Sequence, residues 1–162
     1  AAGLPLIFDV DYRPYSWPSA QVASQVYSRA AALCDVIVGT DVEFDFMAGI
    51  TGEGLEKARS LIGEGAQIVV YKMGEKGSVT FGRDGAFATG IYPTKALKPT
   101  GAGDSFLGAF TAGLAAGLPL RDAVLRGSAA AAMVVARVSC APAMPTGAEL
   151  DAFLGQHPGP SA

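Results

Sequence analysis

At positions 98–106 the chain reads Lys-Pro-Thr-Gly-Ala-Gly-Asp-Ser-Phe, and a long apolar run follows. The small residues at 101–103 predict a turn, and the run predicts a helix from near Asp104 to about Gly117. The first turn of a helix has backbone amides without acceptors and carries the positive end of the helix dipole. Such a helix start binds anions. We therefore predict that the amides of this turn hold a phosphoryl group while the Asp104 carboxylate accepts a proton from an attacking hydroxyl.

A purely structural interpretation of the same residues is also available. Asp is a preferred N-cap residue, and a glycine-rich turn before a helix needs no ligand to explain it. In this alternative Asp104 caps the helix and does nothing more. On residues 98–106 alone this alternative is favoured, so the remainder of the chain must decide between the two.

Length and composition indicate one globular domain that is large enough to bury a hydrophobic core. The chain has 162 residues, of which 50% are hydrophobic and 17% are charged, so it is predicted to be globular. Its net charge is −3 and it has no Lys/Arg cluster, which argues against a nucleic-acid partner. The apolar stretches Ser105–Leu120 and Ser128–Val138 are short for a membrane span. We expect a soluble, cytoplasmic protein without a membrane partner.

Cysteine and histidine usage excludes several chemistries. Cys34 and Cys140 lie far apart in sequence, and we expect them to be buried thiols of a reduced compartment. His157 is the only histidine and lies in a Gly/Pro-rich tail, which argues against histidine-based catalysis or a histidine-rich metal site. The chain also lacks the P-loop pattern and the dinucleotide-binding glycine fingerprint.

Strand and helix patterns alternate along the chain. The predicted strands are Leu4–Val10, Asp35–Gly39, Gln67–Met73, Ser78–Phe81 and Ala86–Tyr92. The predicted helices are Ser19–Leu33, a short one after Thr40, Gly52–Ile62, the one beginning near Asp104, Leu120–Arg137 and one from Thr146 to about Leu154. In the first helix the predicted inner face is Val22, Val26, Tyr27, Ala30 and Leu33. This alternation predicts an α/β fold, with a mostly parallel sheet flanked by helices and one antiparallel hairpin around Arg83-Asp84-Gly85.

Three polar segments directly follow predicted strands. They are Asp9–Arg13, Thr40–Glu43 and Gly74–Gly77. Because ligands of open α/β sheets bind outside the carboxyl ends of the strands, we expect the segments to line one edge of the sheet. Each segment has a structural explanation of its own, but their common position favours a binding site that the helix near Asp104 joins.

Together these features resemble the PfkB, or ribokinase-like, family of carbohydrate kinases. The most specific similarity is the turn Thr100–Asp104, a Gly-Ala-Gly-Asp sequence preceded by threonine. The segment Lys72–Gly77 resembles the family's strand-and-glycine ATP loop, residues 128–132 resemble the helix beside the adenine site, and residues 143–146 resemble the usual ending. The resemblance covers nearly the whole chain but only the later half of a typical member. It implies a ribokinase-like fold lacking the N-terminal half and lid, with residues 1–162 forming the C-terminal, ATP-binding part.

The resemblance also implies roles for individual residues. Asp104 would be the general base for the sugar hydroxyl, and the anion hole would be formed by Gly101, Ala102 and Gly103. The residues that would border ATP are Asp11, Tyr12, Arg13, Lys72, Gly74, Glu75, Gly77 and Ser128. Arg13 would touch the sugar acid as well, and Glu43 would order Mg²⁺ through water. The implied cofactors are therefore ATP and Mg²⁺.

Two positions depart from the family pattern. Thr40 stands where the Asn-x-x-Glu motif has asparagine, so a direct contact with ATP is not expected there. Lys98 stands where members that use a monovalent cation have an aspartate, and its ammonium group could replace that cation. We therefore expect an enzyme that needs no potassium.

Within the family, Asp9–Arg13, Gly39-Thr40 and residues 139–146 are most similar to kinases of 5-dehydro-2-deoxygluconate in inositol catabolism. Kinases of 2-keto-3-deoxygluconate are the alternative. The family's sugar-binding residues and lid lie in the early half, so these residues alone are not expected to phosphorylate a sugar, and any homo-oligomer would form through that lid. A non-catalytic nucleotide-binding module and a purely structural α/β domain remain the alternatives from other classes.

Overall fold

The structure is a computed structural model that describes residues 3–157 and 159–160. The chain divides into two compact units, residues 1–88 and 89–162. The first unit contains most of the sheet with its helices, and the second is mainly helical. Each unit is described by itself.

The strands are β1 (Ile7–Asp9), β2 (Val36–Thr40), β3 (Ile68–Lys72), β4 (Ser78–Gly82) and β5 (Gly85–Thr89). They form one sheet in the order β1-β2-β3-β4-β5. β1, β2 and β3 run parallel, and β4 runs antiparallel to β3. Only two residues connect β4 to its neighbour β5, a connection that antiparallel strands alone allow. The predicted mixed sheet with one hairpin is confirmed.

Three helices accompany the strands of the first unit: α1 (Ala20–Ala31), α2 (Asp41–Ala48) and α3 (Gly54–Gly63). The Ser19 hydroxyl caps α1 by accepting a hydrogen bond from the Val22 amide at 3.2 Å. Thr40 and Glu43 form a capping box at the start of α2. Side chains that satisfy the first amides of a helix are therefore present where the sequence predicted them.

The predicted inner face of α1 is partly wrong. Val22 is 42% exposed and Leu33 is 75% exposed, whereas Ala23 and Ala31 are buried. Leu33 lies beyond the end of the helix, which therefore cannot direct it inward. The face that packs combines the buried Ala23 and Ala31 with the partly buried Tyr27, and a hydrophobicity pattern underweights alanine.

The core of the first unit contains buried side chains from alternating strand positions and from α2 and α3. Its larger members are Val10, Ile37, Phe44, Met47, Leu61, Val69, Tyr71 and Phe81. Strand residues two apart point to the same face, which is why Val69 and Tyr71 both belong to this cluster. Burying one such side chain stabilises the fold by roughly 2 kcal/mol.

The second unit contains α4 (Ala102–Ala115), α5 (Leu120–Val135) and α6 (Gly147–Gln156). α4 and α5 pack closely: a Cβ atom on Gly127 would lie 2.9 Å from the carbonyl oxygen of Phe106. This contact explains the small residues in the two apolar stretches. Thr146 and Glu149 form the predicted capping box of α6. None of the helices in the described ranges has the length and apolarity needed to traverse a bilayer.

The predicted start of α4 is wrong by two residues. The helix begins at Ala102, with Gly101 as its N-cap, so Asp104 is the third helical residue. The structural alternative in which Asp104 is the N-cap is therefore also wrong. The reason is the left-handed backbone of Gly101, with φ 87°, which lets the chain enter the helix without a polar capping side chain.

The Asp35 carboxylate bonds to residues at the starts of the two neighbouring strands. Because these bonds need the charged carboxylate, we expect the stability of the fold to depend on pH. Its carboxylate accepts hydrogen bonds from the Leu6 amide at 2.8 Å and from the Gln67 side chain at 2.7 Å. These bonds, helped by the positive charge of Arg83, hold the pKa of Asp35 below its ordinary value. A lowered pKa contributes stability above the unfolded-state pKa, and that contribution is lost as the pH falls through the folded-state pKa.

We expect Asp35→Asn to lower the urea midpoint of the full-length protein at pH 7. The difference from wild type should begin to shrink below about pH 4, where the carboxyl of the unfolded chain becomes protonated, and should disappear once the pH also lies below the folded-state pKa. Urea titrations of both proteins at several pH values measure this difference. Gln67→Leu, which removes one donor, should reproduce part of the loss. A difference that stays constant down to pH 3 would refute the role of the charge.

Candidate active site

Three parallel strands of the first unit end at the same edge of the sheet. Asp9 of β1 aligns with Val38 of β2, and Thr40 of β2 aligns with Lys72 of β3. The segments that follow, 11–13, 41–43 and 74–77, therefore leave the sheet at neighbouring positions. This confirms that the polar segments lie along one edge.

The loop after β1 carries an unusual backbone and an exposed ion pair. Asp11 has φ 37°, which a non-glycine residue rarely adopts. Its carboxylate pairs with the Arg13 guanidinium at 2.5 Å, and Arg13 also donates to the Tyr12 carbonyl oxygen at 3.2 Å. Both charged side chains are about half exposed, so the pair contributes at most ~1 kcal/mol to stability. The pair remains accessible to an anionic ligand.

Glu43 connects this loop to the start of α2. Its Oε2 accepts from the Thr40 amide at 2.7 Å and its Oε1 accepts from the Tyr12 amide at 3.1 Å. Each carboxylate oxygen has a second lone pair, so a metal-bound water could still donate to it. Within residues 3–157 and 159–160 no group of three or more His, Cys, Asp or Glu could hold a metal. A single carboxylate with lone pairs to spare is compatible with Mg²⁺, which commonly takes one or two carboxylates and completes its shell with waters and phosphates.

The turn after β3 matches the predicted nucleotide loop in position. Residues Gly74–Lys76 form a 3₁₀ turn, and the Met73 amide donates to the Gly77 carbonyl oxygen at 2.8 Å. Gly74 and Glu75 are exposed, whereas Gly77 is buried. Lys72 is the last residue of β3 and aligns with Ser78 of β4. The turn therefore presents exposed backbone directly beyond the end of β3, the middle strand of the sheet.

The start of α4 has free amides where an anion could bind. The Ala102 amide donates to the Pro99 carbonyl oxygen at 3.2 Å and is thus used by the turn. In the described part of the chain, the amides of Gly101, Gly103 and Asp104 have no acceptor. The sequence analysis included the Ala102 amide, which the turn uses, and left out the Asp104 amide, although the first amides of a helix have no acceptor within it.

The Asp104 carboxylate lies beside these amides and faces solvent. Asp104 is exposed, and among the described residues its side chain has no hydrogen-bond or ion-pair partner. Lys98, also exposed, is held by its backbone amide, which donates to the Val135 carbonyl oxygen at 3.1 Å. Ser128 is half-buried on α5. Apart from its favourable interaction with the helix dipole, the carboxylate is therefore unpartnered and accessible to a proton donor.

Cys140 supports the turn from the loop that follows α5. A Cβ atom on Gly101 would lie 3.0 Å from the Cys140 Sγ atom, so the thiol packs directly against this glycine. Both cysteines are free thiols, as predicted, but each is half-buried and not fully buried. The contact explains why position 101 needs glycine for space as well as for its backbone conformation.

An exposed carboxylate beside free amides at a helix start is the arrangement that the sequence predicted around positions 101–104. The family model for the pfkB family carbohydrate kinases matches residues 1–147. The chain belongs to this family, and the resemblance inferred from the sequence is confirmed.

Among curated proteins, the chain is similar to 5-dehydro-2-deoxygluconokinase of Geobacillus kaustophilus. The two are 40% identical over 164 residues, which covers 99% of this chain and 49% of that protein. The protein of the same name from Bacillus anthracis is 43% identical over 156 residues, which covers 92% of this chain and 46% of that protein. The chain thus spans about half the length of the curated relatives it matches.

Solved structures support the fold. A PfkB protein from Polaromonas sp. JS666 is 31% identical, with a TM-score of 0.78 over 93% of this chain and 47% of that chain. A fructokinase from Vibrio cholerae, solved with fructose, ADP and calcium bound, is 25% identical. Its TM-score is 0.82 over 93% of this chain and 50% of that chain. The ribokinase-like architecture, here covering about half of a member, is confirmed.

Proposed function

We propose that this chain is the C-terminal, ATP-binding part of a kinase that phosphorylates a hydroxyl of a sugar acid, 5-dehydro-2-deoxygluconate, in inositol catabolism. The observation that carries the proposal is the start of α4, where free amides and an unpartnered carboxylate lie together. The names of the relatives, at 40% and 43% identity, support the substrate. The absence of a membrane-length helix among the described residues and the net charge of −3 are compatible with a cytoplasmic enzyme that binds no nucleic acid.

In this proposal Asp104 is the general base. Its carboxylate accepts the proton of the sugar hydroxyl while that oxygen forms a bond to the γ-phosphorus and the bond from phosphorus to the bridging oxygen breaks. The backbone amides of Gly101, Gly103 and Asp104 face the negative charge that develops on the transferring group. Fixed donors of this kind stabilise such charge without reorganising. Gly101 contributes the left-handed bend that aims them.

The first unit would bind the nucleotide and the metal. ATP supplies the phosphoryl group and Mg²⁺ neutralises its charge when both are bound. Residues 72–77 would border the nucleotide through the exposed turn after β3, with Ser128 of α5 as a further contact. Glu43 would orient metal-bound water, and Arg13 would contact the anionic groups of both substrates. The fructokinase with bound ADP and calcium supports the choice of a nucleotide and a divalent cation.

A substrate panel tests the proposed function directly. The full-length protein is incubated with ATP, Mg²⁺ and 5-dehydro-2-deoxygluconate, 2-keto-3-deoxygluconate or fructose, and sugar-dependent ADP release is measured. We expect the highest kcat/KM with the first compound. Preference for the second would assign the alternative sugar acid. Absence of ADP release with every sugar, combined with a nucleotide-induced rise in Tm, would instead support a non-catalytic nucleotide-binding module.

The lysine at position 98 predicts independence from monovalent cations. Because its ammonium group would replace a bound cation, we expect kcat to change less than about twofold between potassium-free buffer and 100 mM KCl, a change of under ~0.4 kcal/mol in the barrier. Lys98→Asp should make turnover depend on potassium, whereas Lys95→Asp, at another exposed lysine of the same segment, should not. A large rise in wild-type turnover on adding potassium would refute the prediction.

A further inference from the structure

α2 holds the loop after β1 at two points that lie on one face of the helix. The Tyr12 amide donates to Glu43 Oε1 at 3.1 Å. The Tyr12 ring stacks on Phe46, with ring centroids 3.6 Å apart and planes inclined by 16°. Residues three apart on a helix are neighbours on its surface, so Glu43 and Phe46 together form a single clasp around Tyr12.

Tyr27 of α1 closes this arrangement from the other side. Its ring meets Tyr12 edge-on at 6.1 Å and Phe46 edge-on at 5.9 Å. Edge-on contact is a favourable geometry of aromatic rings. The half-buried Tyr12 ring therefore contacts two aromatic neighbours, and the residue anchors its loop through its ring.

The clasp coincides with the strained position of the loop. Asp11 has φ 37°, and such a backbone persists only where the surrounding structure holds it. The residue that follows it is fixed by Glu43 and Phe46, which supplies that constraint. Arg13 in turn donates to the Tyr12 carbonyl oxygen and pairs with Asp11, so the orientation of its guanidinium depends on the same anchor.

We propose that Glu43 and Phe46 are positioning residues that set the orientation of Arg13 through Tyr12. Arg13 then presents a prearranged guanidinium at the carboxyl edge of the sheet, where it receives a phosphate or carboxylate. Tyr12 acts as the anchor of this loop. This inference rests on the proposed function and deepens it, because it identifies what fixes the geometry of a predicted substrate contact.

Phe46→Leu in the full-length protein tests the clasp, because it removes the stacked ring and leaves the charged groups in place. We expect hydrogen exchange of the Tyr12 amide to accelerate about tenfold, since local opening of the loop becomes easier. The dissociation constant of the ligand that Arg13 contacts should rise about three- to tenfold, the size expected for one aromatic pair. Calorimetry with ATP and with the sugar acid separately distinguishes a phosphate contact from a carboxylate contact. The Mg²⁺ concentration for half-maximal nucleotide binding should not change.

Two variants serve as controls. Phe46→Tyr keeps the ring and should behave as wild type. Phe8→Leu removes a half-buried ring that contacts Tyr27 and, among the described ring contacts, not Tyr12, so it should leave both readouts unchanged. If Phe46→Leu does not differ from Phe8→Leu, or if faster exchange leaves both dissociation constants unchanged, the positioning role is overturned. Because exchange and calorimetry need no turnover, an inactive protein would overturn the proposed function without being mistaken for a failed clasp.

Discussion

Asp104→Asn should lower kcat by about two or more powers of ten in the full-length protein, the usual contribution of a general base. The amide side chain is nearly isosteric with the carboxylate but cannot accept the proton of the sugar hydroxyl. Nucleotide affinity should change little, because the backbone amides at the start of α4 are unaltered. Steady-state kinetics give kcat, and calorimetry gives the dissociation constant of ATP.

Asp122→Asn is the matched control for this prediction. Asp122 is exposed in the first turn of α5, at the same helical position that Asp104 occupies in α4. Each aspartate interacts favourably with its helix dipole, so both variants should lose a similar stability, about 0.3–1 kcal/mol. Only Asp104→Asn should lose activity. Near-normal turnover in Asp104→Asn, or an equal loss in Asp122→Asn, would remove the case for the general base.

Gly101→Ala should impair both the stability of the second unit and phosphoryl transfer. The new Cβ atom would lie 3.0 Å from Cys140 Sγ, and the left-handed backbone at φ 87° costs an L-residue about 1–2 kcal/mol. Relief of this strain would rotate the amides of Gly103 and Asp104 away from the transferring group. We expect kcat/KM to fall at least about tenfold. Complete loss of one such hydrogen-bond donor lowers kcat by ~10²–10³, which sets the upper end of the expected effect. Urea denaturation and steady-state kinetics measure the two effects.

The same substitution elsewhere in α4 provides the comparison. At Gly108 a Cβ atom would meet no atom within 4 Å, so Gly108→Ala should raise stability by up to about 1 kcal/mol and leave activity unchanged. Adding Cys140→Ala to Gly101→Ala should recover the part of the loss due to the close contact, but not the part due to the backbone. Full activity in Gly101→Ala would argue against a role for this turn in holding the phosphoryl group.

Much of the fold was predictable because its signals are local. Ser19, Thr40 and Thr146 cap helices within three residues of themselves, and all three caps are present. The strand patterns after positions 35 and 67 and the turn at Arg83-Asp84 likewise depend on neighbouring residues. The expectation that polar segments follow parallel strands at one edge rested on connectivity and was confirmed.

The errors arose where the decisive contact was distant or sterically unusual. The inner face of α1 depends on how the helix packs on elements that are distant in sequence, and it contains Ala23 and Ala31, not the more hydrophobic Val22 and Leu33. The start of α4 depends on the backbone of Gly101, which no periodicity reveals.

By itself the sequence determined the α/β class, the family and the candidate base, because capping residues, periodicity and a small-residue turn act over a few positions. Only the tertiary structure decided which amides at the start of α4 stay without acceptors, and that Glu43 reaches across 31 positions to Tyr12. The physical reason is that a hydrogen-bond partner distant in sequence is chosen by the packing of whole elements. No local pattern encodes that choice.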